Sequence, residues 1–270
     1  MFDRGIRTTV QFNSKIYDHD GPYKHQWCSD PLENYRFDES RTSFFADNVE
    51  SLLNEDGTEY TVVSSVNPEC IVNLKIKRVS PGFQVGKNGT STYGTDPAHP
   101  WGTMRHAFWP RCVVSGTMKT KSKTYDATGR GAFNYAIQGM KPHHAAARWN
   151  FINFQTPTYS AYMMEFTTPP SYGRTIVNVG AIAKDGEILF AGATNTLRHL
   201  AVQHDPESKW PEPKAILAEW KGKTKDGQEA SAEIMGDLPQ TAECVDVLAH
   251  IPGIIKTLIG GTVGIAPRIL

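Results

Sequence analysis

Two stretches of the chain bring together aromatic, histidine, methionine and arginine side chains, which are residue types that often contact apolar ligands. The first is Trp101-Gly-Thr-Met-Arg-His-Ala-Phe-Trp-Pro-Arg111, and the second is Met140-Lys-Pro-His-His-Ala-Ala-Ala-Arg-Trp-Asn150. In a cavity, the rings and Met104 would offer apolar contact surface, while Arg105 or His106 would supply an orienting hydrogen bond. The same residues also suit a wall between two packed bodies, with Arg105 paired to a carboxylate. The residues alone leave both interpretations open.

The histidines of the second stretch do not form a recognisable metal site. His143 and His144 are adjacent, so on a strand they point apart and cannot easily bind one metal ion. The sequence has no HxH or HExxH motif and no third ligand at a recognisable spacing. It also has no GxSxG elbow, no P-loop and no GxGxxG after a strand. We therefore predict neither a metal nor a cofactor, and we expect that the protein is not an enzyme.

Glu165 is a candidate general acid or base. It lies in the strand-like segment Tyr159-Ser-Ala-Tyr-Met-Met-Glu-Phe166, on the face opposite Tyr162. A buried Glu165 would have a pKa raised by desolvation, which suits proton transfer near neutral pH. The interpretation that we prefer is structural, with Glu165 paired to an arginine such as Arg148 or Arg174.

The composition argues against several classes of partner. The chain has 28 Lys and Arg residues against 28 Asp and Glu residues, so it lacks the basic excess of a nucleic-acid binder. No stretch is apolar enough to span a bilayer. The four cysteines include no CxxC pair, so we interpret Cys70, Cys112 and Cys244 as small buried hydrophobic residues rather than zinc ligands.

Apolar and polar residues alternate with a period of two along much of the chain, which predicts an all-β fold. The clearest alternating segments are 7–13, 59–66, 70–77 and 175–182. Tight-turn sequences occur at Glu55-Asp-Gly57, Lys184-Asp-Gly186 and Lys225-Asp-Gly227. Many short strands indicate a sandwich or a barrel, and the residues alone do not choose between them.

Four further motifs, together with the two aromatic stretches, resemble the Svf1-like family. They are Phe44-Phe-Ala-Asp-Asn48, Ser64-Ser-Val-Asn67, Met164-Glu-Phe-Thr-Thr-Pro169 and Asp246-Val-Leu-Ala-His-Ile-Pro252. That family comprises fungal proteins linked to survival under oxidative stress and, through a double lipocalin-like fold, to non-vesicular ceramide transfer. The resemblance implies two lipocalin-like antiparallel β-barrels packed side by side, in residues 1–123 and 124–270. We expect the first barrel to be incomplete at its amino terminus, because the chain begins inside it.

The resemblance also implies a function, which is binding and non-vesicular transfer of ceramide or a related long-chain lipid in support of survival under oxidative stress. We expect no nucleic-acid partner. Peripheral contact with Golgi or endoplasmic reticulum membranes is expected to be weakened, because the family's amphipathic helix is not in this chain. The expected location is the cytoplasm, with the nucleus and the Golgi membrane as further places. The alternatives are a pericyclase-type enzyme of secondary metabolism and a ligand-free stress-response interaction protein.

The candidate ligand-binding residues lie in the aromatic stretches and in the strand around Tyr162, on a cavity wall or an inter-barrel wall. They are Trp101, Met104, Arg105, His106, Phe108, Trp109, Met140, His143, His144, Trp149, Phe151, Phe154, Tyr162, Met164 and Phe166.

Overall fold

The described residues fold mainly into antiparallel β-strands, which confirms the predicted all-β class. The computed structural model describes residues 2–3, 8–17, 25–140, 142–206, 209–239, 241, 245–246 and 268–269. Within these ranges the helical elements are α1 (Pro142–Ala145) and one 3-10 turn (Pro170–Tyr172). No helix in the described residues has the length and hydrophobicity that crossing a membrane would require.

A small sheet lies at the start of the chain. It consists of β1 (Phe2–Asp3), β2 (Thr8–Tyr17) and β3 (His25–Leu32), in that order. Side-chain hydrogen bonds from Gln26 and Asn67 join β3 to a turn at residues 67–70. Gln26 Nε2 donates to the carbonyl oxygen of Glu69 at 2.5 Å, and Asn67 Nδ2 donates to Asp30 Oδ1 at 3.1 Å. These bonds hold β3 beside the next sheet although no backbone ladder joins them.

The second sheet has ten strands and is organised around one long strand, β11. Its strands are β4 (Arg36–Phe37), β5 (Phe44–Ala46), β6 (Val49–Leu53), β7 (Glu59–Asn67), β8 (Cys70–Arg78), β9 (Phe83–Gln84), β10 (Thr90–Tyr93), β11 (Gly102–Thr120), β12 (Thr124–Asp126) and β13 (Gly129–Gln138). The path runs β10-β11-β8-β7-β6-β5-β4. One edge of β11 pairs in turn with β10, β9 and β8, and the other edge pairs with β13 and β12.

Among the described residues, the remaining strands form three more sheets. The third sheet is a meander of β14 (Arg148–Gln155), β15 (Tyr159–Thr167), β16 (Ile176–Lys184) and β17 (Glu187–Gly192). The other strands are β18 (Thr196–His204), β19 (Pro211–Lys223), β20 (Glu229–Asp237), β21 (Val245–Asp246) and β22 (Arg268–Ile269). Strands β18 to β20 pair in order, and β21 pairs with β22.

The local predictions from alternation and turn chemistry are confirmed. The segments 59–66 and 70–77 lie in β7 and β8, and the segment 175–182 overlaps β16. The glycines of the three tight turns have positive φ angles, at 64° for Gly57, 78° for Gly186 and 76° for Gly227. Glycine adopts this left-handed conformation without a steric penalty, so these turns form where Asp-Gly occurs.

A buried arginine joins β11 to the third sheet. Arg111 has no solvent exposure, and its guanidinium donates to the carboxylate of Asp185 in the turn between β16 and β17. It also donates to the carbonyl oxygens of Thr156 and Pro157 at 3.1 and 2.7 Å, and to Ser160 Oγ at 3.0 Å. Because a guanidinium has five N–H donors in a fixed fork, one side chain can hold all of these acceptors together.

The described strands divide into two compact units. The described residues up to 16 form one unit with those of 25–195 and 220–232, and the described residues at 17, in 196–219 and from 233 onward belong to the other. The predicted domains, 1–123 and 124–270, stay a prediction. All contacts discussed below lie within the first unit.

Three of the four cysteines are described, and they are buried free thiols at Cys28, Cys70 and Cys112. The interpretation of Cys70 and Cys112 as small hydrophobic residues is therefore confirmed. Burial raises the pKa of the Cys112 thiol to about 11, so it stays protonated at neutral pH. Cys244 lies outside the described residues.

Candidate functional site

An apolar cavity of about 330 Å³ opens between the small first sheet and the neighbouring part of the second sheet. Its lining comes from β2 to β7. The lining residues are Val10, Gln11, Phe12, Leu32, Phe37, Phe44, Val49, Ser51 and Val62. Only Gln11 and Ser51 of this set carry polar side chains, and none is charged. We call this cavity the apolar pocket.

A single row of paired residues forms one wall of the apolar pocket. Phe37 pairs with Phe44, Phe44 pairs with Ser51, and Ser51 pairs with Val62, across the strands β4 to β7. The row continues from Val62 to Leu74 on β8. Because directly paired residues point to the same side of a sheet, all of these side chains share one face. The rings of Phe37 and Phe44 meet edge to face, with centroids 5.2 Å apart.

The apolar pocket is continuous with the hydrophobic core of this part of the molecule. Phe12 and Val62 line the pocket and also pack against a buried cluster of Cys28, Cys70 and Val72. Phe37, in contrast, is 46% exposed and therefore lies at the mouth of the pocket. The pocket is thus closed by apolar side chains at its base and open to solvent at Phe37.

Polar groups are sparse in the apolar pocket. Gln11 Nε2 donates to Ser29 Oγ at 2.7 Å, so the Gln11 amide is bonded across to β3 on the exposed side of the strands. Ser51 contributes a hydroxyl from β6. Burial raises the pKa of the Cys28 thiol in the adjoining core, so this thiol is uncharged at neutral pH. Such a site can hold a hydrocarbon chain and offer the Ser51 hydroxyl for a neutral hydrogen bond, and its lining includes no charged residue for acid–base chemistry.

Six of the residues predicted to bind a ligand come together elsewhere, where β11 packs against β15. Met104, His106 and Phe108 lie on the buried face of β11, at 2%, 9% and 0% exposure. Opposite them, on one face of β15, lie Tyr162, Met164 and Phe166. We call this contact the β11–β15 seam.

Aromatic contacts pack the β11–β15 seam. The rings of Phe108 and Tyr162 have centroids 5.0 Å apart, and Phe83 stacks on Phe108 at 4.9 Å. Trp149 and Phe151 on β14 contact Phe166 and Tyr162 respectively, at 4.7 and 5.0 Å. The seam is therefore a packed contact between two sheets, and a ligand role for its residues stays a prediction.

The other predicted site residues lie around the seam or away from it. Trp101 stacks on Tyr172 at 3.9 Å, and the ring of His144 lies 6.2 Å from the same tyrosine. Met140 packs on the cluster of Met104 and Phe166. The side chain of His143 lies outside the described residues.

The remaining three predicted residues do not face the seam. Trp109 points to the other side of β11, where its ring lies 5.3 Å from Tyr60. Arg105 is exposed on that side, in agreement with the alternation of β11. Phe154 is 47% exposed on β14, in the alternating row opposite Phe151.

Glu165 lies on the far face of β15, and its predicted pairing with an arginine is wrong. Asn150 Nδ2 donates to Glu165 Oε1, and Asn178 Nδ2 donates to Glu165 Oε2, both at 3.0 Å. Asn195 Nδ2 donates in turn to Asn178 Oδ1 at 2.9 Å. The partners of the Glu165 carboxylate are thus side-chain amides and not the guanidinium group of an arginine. The reason is the strand register, since β14 and β16 place Asn150 and Asn178 directly beside Glu165.

Sequence reasoning missed the apolar pocket. Alternation in segment 7–13 indicates a strand and the motif at 44–48 indicates the family, but neither indicates a cavity. The wall of the pocket depends on which residue of one strand pairs with which residue of the next. That register brings Phe37 and Val62 into one row, and no single-strand pattern reveals it.

Comparison with known proteins identifies the family. The Svf1 family matches residues 3–270 of the chain. The chain belongs to the Svf1 family. Members similar to it include the ceramide-binding protein svf1 of Aspergillus fumigatus, which is 60% identical over 265 residues, covering 98% of this chain and 67% of the relative. The ceramide-binding protein svf1 of Emericella nidulans is 58% identical, covering 98% of this chain and 70% of the relative.

Solved structures that resemble this Svf1-family chain share its fold at low identity. A putative AttH from Nitrosomonas europaea superposes with a TM-score of 0.53 and 14% identity, covering 79% of this chain and 75% of that one. Kievitone hydratase from Nectria haematococca gives a TM-score of 0.52 and 12% identity, covering 78% of this chain and 63% of that one. At such identity the likeness concerns the fold alone, and it confirms the predicted lipocalin-like β fold.

Proposed function

We propose that this protein binds ceramide or a related long-chain lipid and that the apolar pocket holds a hydrocarbon chain of that lipid. The observation that carries the proposal is the row of Phe37, Phe44, Ser51 and Val62 along a cavity of about 330 Å³. One water occupies about 30 Å³ of the liquid, and a methylene group is of similar size, so the cavity accepts roughly ten such groups.

The energetics of transfer support this assignment. Each fully buried methylene contributes about 0.8 kcal/mol, so roughly ten of them give at most on the order of 8 kcal/mol before the costs of binding, because the pocket is open to solvent on one side. A charged lining would oppose such a ligand by adding desolvation costs. The pocket residues carry no charge, and the polar residues among them are Gln11 and Ser51.

The names of similar proteins supply the lipid class. The relatives from Aspergillus fumigatus and Emericella nidulans are named ceramide-binding proteins, and the chain spans about two thirds of their length, 67% and 70%. Ceramide is an uncharged lipid with two hydrocarbon chains, which agrees with an uncharged apolar pocket. Transfer between membranes, survival under oxidative stress, membrane contact and cytoplasmic location remain predictions.

Lipid uptake by purified protein tests the proposal. The protein is incubated with liposomes that contain ceramide, is separated from them, and is extracted for mass spectrometry. We expect ceramide in the protein fraction of the wild type. A protein fraction without any long-chain lipid would contradict the proposal.

Two serine variants locate the binding site. Ser51→Phe adds a ring to the pocket wall, and we expect it to lower ceramide uptake at least tenfold. Ser65→Phe is the matched control, because Ser65 is exposed on β7 next to the same wall. We expect its uptake to equal that of the wild type. Equal uptake by all three proteins would exclude the apolar pocket as the site.

The predicted alternative of a pericyclase-type enzyme stays a prediction. The structural likeness to kievitone hydratase is at 12% identity and therefore does not carry an activity to this chain. In the apolar pocket, no lining residue is an acid or a base.

A further inference from the structure

The hydroxyl group of Tyr162 is an anomaly in the β11–β15 seam. The side chain has no solvent exposure, and among the described residues its hydroxyl finds no hydrogen-bond partner. Leaving a buried hydroxyl without a partner is unfavourable, and native proteins contain few such groups. Phenylalanine would fill the same space without this penalty. The hydroxyl therefore requires an explanation other than packing.

The surroundings of Tyr162 are aromatic, apolar and uncharged. Its ring lies 5.0 Å from Phe108, 5.0 Å from Phe151 and 6.5 Å from Phe83, measured between centroids. Burial raises the pKa of the Tyr162 hydroxyl, so it remains protonated and able to donate. Burial lowers the pKa of His106 on the same face of β11, so this imidazole is neutral at pH 7.

The edge strand β14 brings a half-exposed ring against the buried Tyr162. Among the described strands, β14 ends the order of the third sheet. Phe151 on this strand is 54% exposed, and its ring stands perpendicular to that of Tyr162. The half-exposed ring of Phe151 thus lies directly against the buried ring of Tyr162 at the edge of the third sheet.

We propose that the β11–β15 seam is a second ligand site, in which the Tyr162 hydroxyl donates a hydrogen bond to the carbonyl oxygen of an uncharged long-chain amide. This inference rests on the proposed function, because it assumes that the protein takes up such lipids. The seam shares no residue with the apolar pocket. A carbonyl fits because the partner must accept a hydrogen bond, whereas a charged head group would lose its hydration without gaining a counter-charge.

The test uses ceramide with a ¹³C-labelled amide carbonyl and three proteins, the wild type, Tyr162→Phe and Tyr159→Phe. Tyr159 is the matched control, because it lies on the same strand and is 50% exposed. Infrared spectra of the loaded proteins report the hydrogen bond to the labelled carbonyl. In the wild type and Tyr159→Phe, we expect a carbonyl band shifted to lower wavenumber. Tyr162→Phe loses this band and holds ceramide in the seam about two- to tenfold more weakly, as expected for one neutral hydrogen bond.

Thermal unfolding without lipid gives a second readout. If the hydroxyl has no partner in the free protein, Tyr162→Phe melts no lower than the wild type. A lower melting temperature together with unchanged ceramide binding would mean that an internal water satisfies the hydroxyl, which would overturn the inference. Identical carbonyl bands in all three proteins would overturn it as well, while leaving lipid binding intact. A wild type that takes up no ceramide at all would instead refute the proposed function itself.

Discussion

Arg111 and Asp185 form an ion pair whose two members differ sharply in exposure, since the side chain of Arg111 is 0% exposed and that of Asp185 is 61% exposed. The pair joins the long strand β11 to the turn between β16 and β17. The buried arginine also holds two carbonyl groups and the Ser160 hydroxyl. The buried guanidinium group of Arg111, rather than the exposed carboxylate of Asp185, therefore makes most of the hydrogen bonds that join β11 to the third sheet.

Replacement of Arg111 by lysine should destabilise the protein although the charge is kept. A single ammonium group cannot reach the acceptors that the guanidinium holds, and a buried unsatisfied group costs several kcal/mol. We expect Arg111→Lys to lower the free energy of unfolding by about 3 kcal/mol. Arg105→Lys, at an exposed position of the same strand, should change it by less than about 0.5 kcal/mol. Urea unfolding of both variants measures the difference, and equal stabilities would contradict this role of Arg111.

The Asp185 carboxylate should make stability depend on acid pH. Its hydrogen bond from Arg111 holds the pKa of Asp185 below its ordinary value. A carboxyl group with a depressed pKa in the folded state stabilises the protein above its unfolded pKa of about 3.9, and this contribution is lost as the pH falls through the folded pKa.

We therefore expect Asp185→Asn to be less stable than the wild type at pH 7, by roughly 1 kcal/mol given the exposure of the pair. The gap should close as the pH falls below about 4. Unfolding titrations at pH 7 and pH 3 compare the two proteins. A gap that stays constant over this range would show that the carboxylate charge has no such effect.

The carboxylate of Glu165 accepts hydrogen bonds from side-chain amides whose orientation is fixed by a backbone N–H group. The backbone N–H of Lys221, which can only donate, bonds to Asn195 Oδ1 at 3.1 Å. This fixes the Asn195 amide so that its nitrogen donates to Asn178, whose nitrogen then donates to Glu165. Both oxygens of Glu165 therefore accept hydrogen bonds, because Asn150 supplies the second one.

Glu165→Gln replaces one carboxylate oxygen by an NH₂ group. This group then faces the donating amide nitrogen of either Asn150 or Asn178. We expect a loss of about 1–3 kcal/mol in unfolding free energy. Glu187→Gln, at a partly exposed surface pair with Lys184, serves as the control and should cost less than about 1 kcal/mol. A Glu165→Gln protein as stable as its control would refute the assigned orientation of the amides.

Gly180 should not tolerate a side chain. A Cβ at this position would lie 2.8 Å from Trp220 Nε1 and 2.8 Å from the carbonyl oxygen of Tyr162. These two atoms are themselves joined by a hydrogen bond of 2.9 Å. We expect Gly180→Ala to lose about 1–3 kcal/mol by overpacking. Gly129→Ala meets no atom within 4 Å and should be neutral within about 0.5 kcal/mol. Thermal unfolding measures the stability of both variants. A Gly180→Ala protein as stable as the wild type would contradict the close packing of Trp220 against Gly180.

The sequence predicted local structure better than it predicted contacts. Alternation located β7, β8 and β15, and Asp-Gly pairs located three hairpin turns, because both signals depend on neighbouring residues only. In β11 the same alternation puts Met104, His106 and Phe108 on one buried face of the strand.

Contacts that depend on strand register could not be predicted in this way. Asn150 and Asn178 lie 15 and 13 positions from Glu165 in the chain, and only the pairing of β14 and β16 with β15 brings them together. The wall of the apolar pocket has the same origin. Composition shows that Phe37 and Val62 are apolar, but register decides that they face one cavity.

Photo-crosslinking with a ceramide that carries a diazirine near the end of its acyl chain tests the central claim most directly. The protein is loaded, irradiated and digested, and the labelled peptides are identified by mass spectrometry. Labels within residues 10–62, where β2 to β7 line the apolar pocket, are the predicted result, and Ser51→Phe should remove them. Ceramide that binds without labelling any residue in this range, or labels there that persist in Ser51→Phe, would contradict the account.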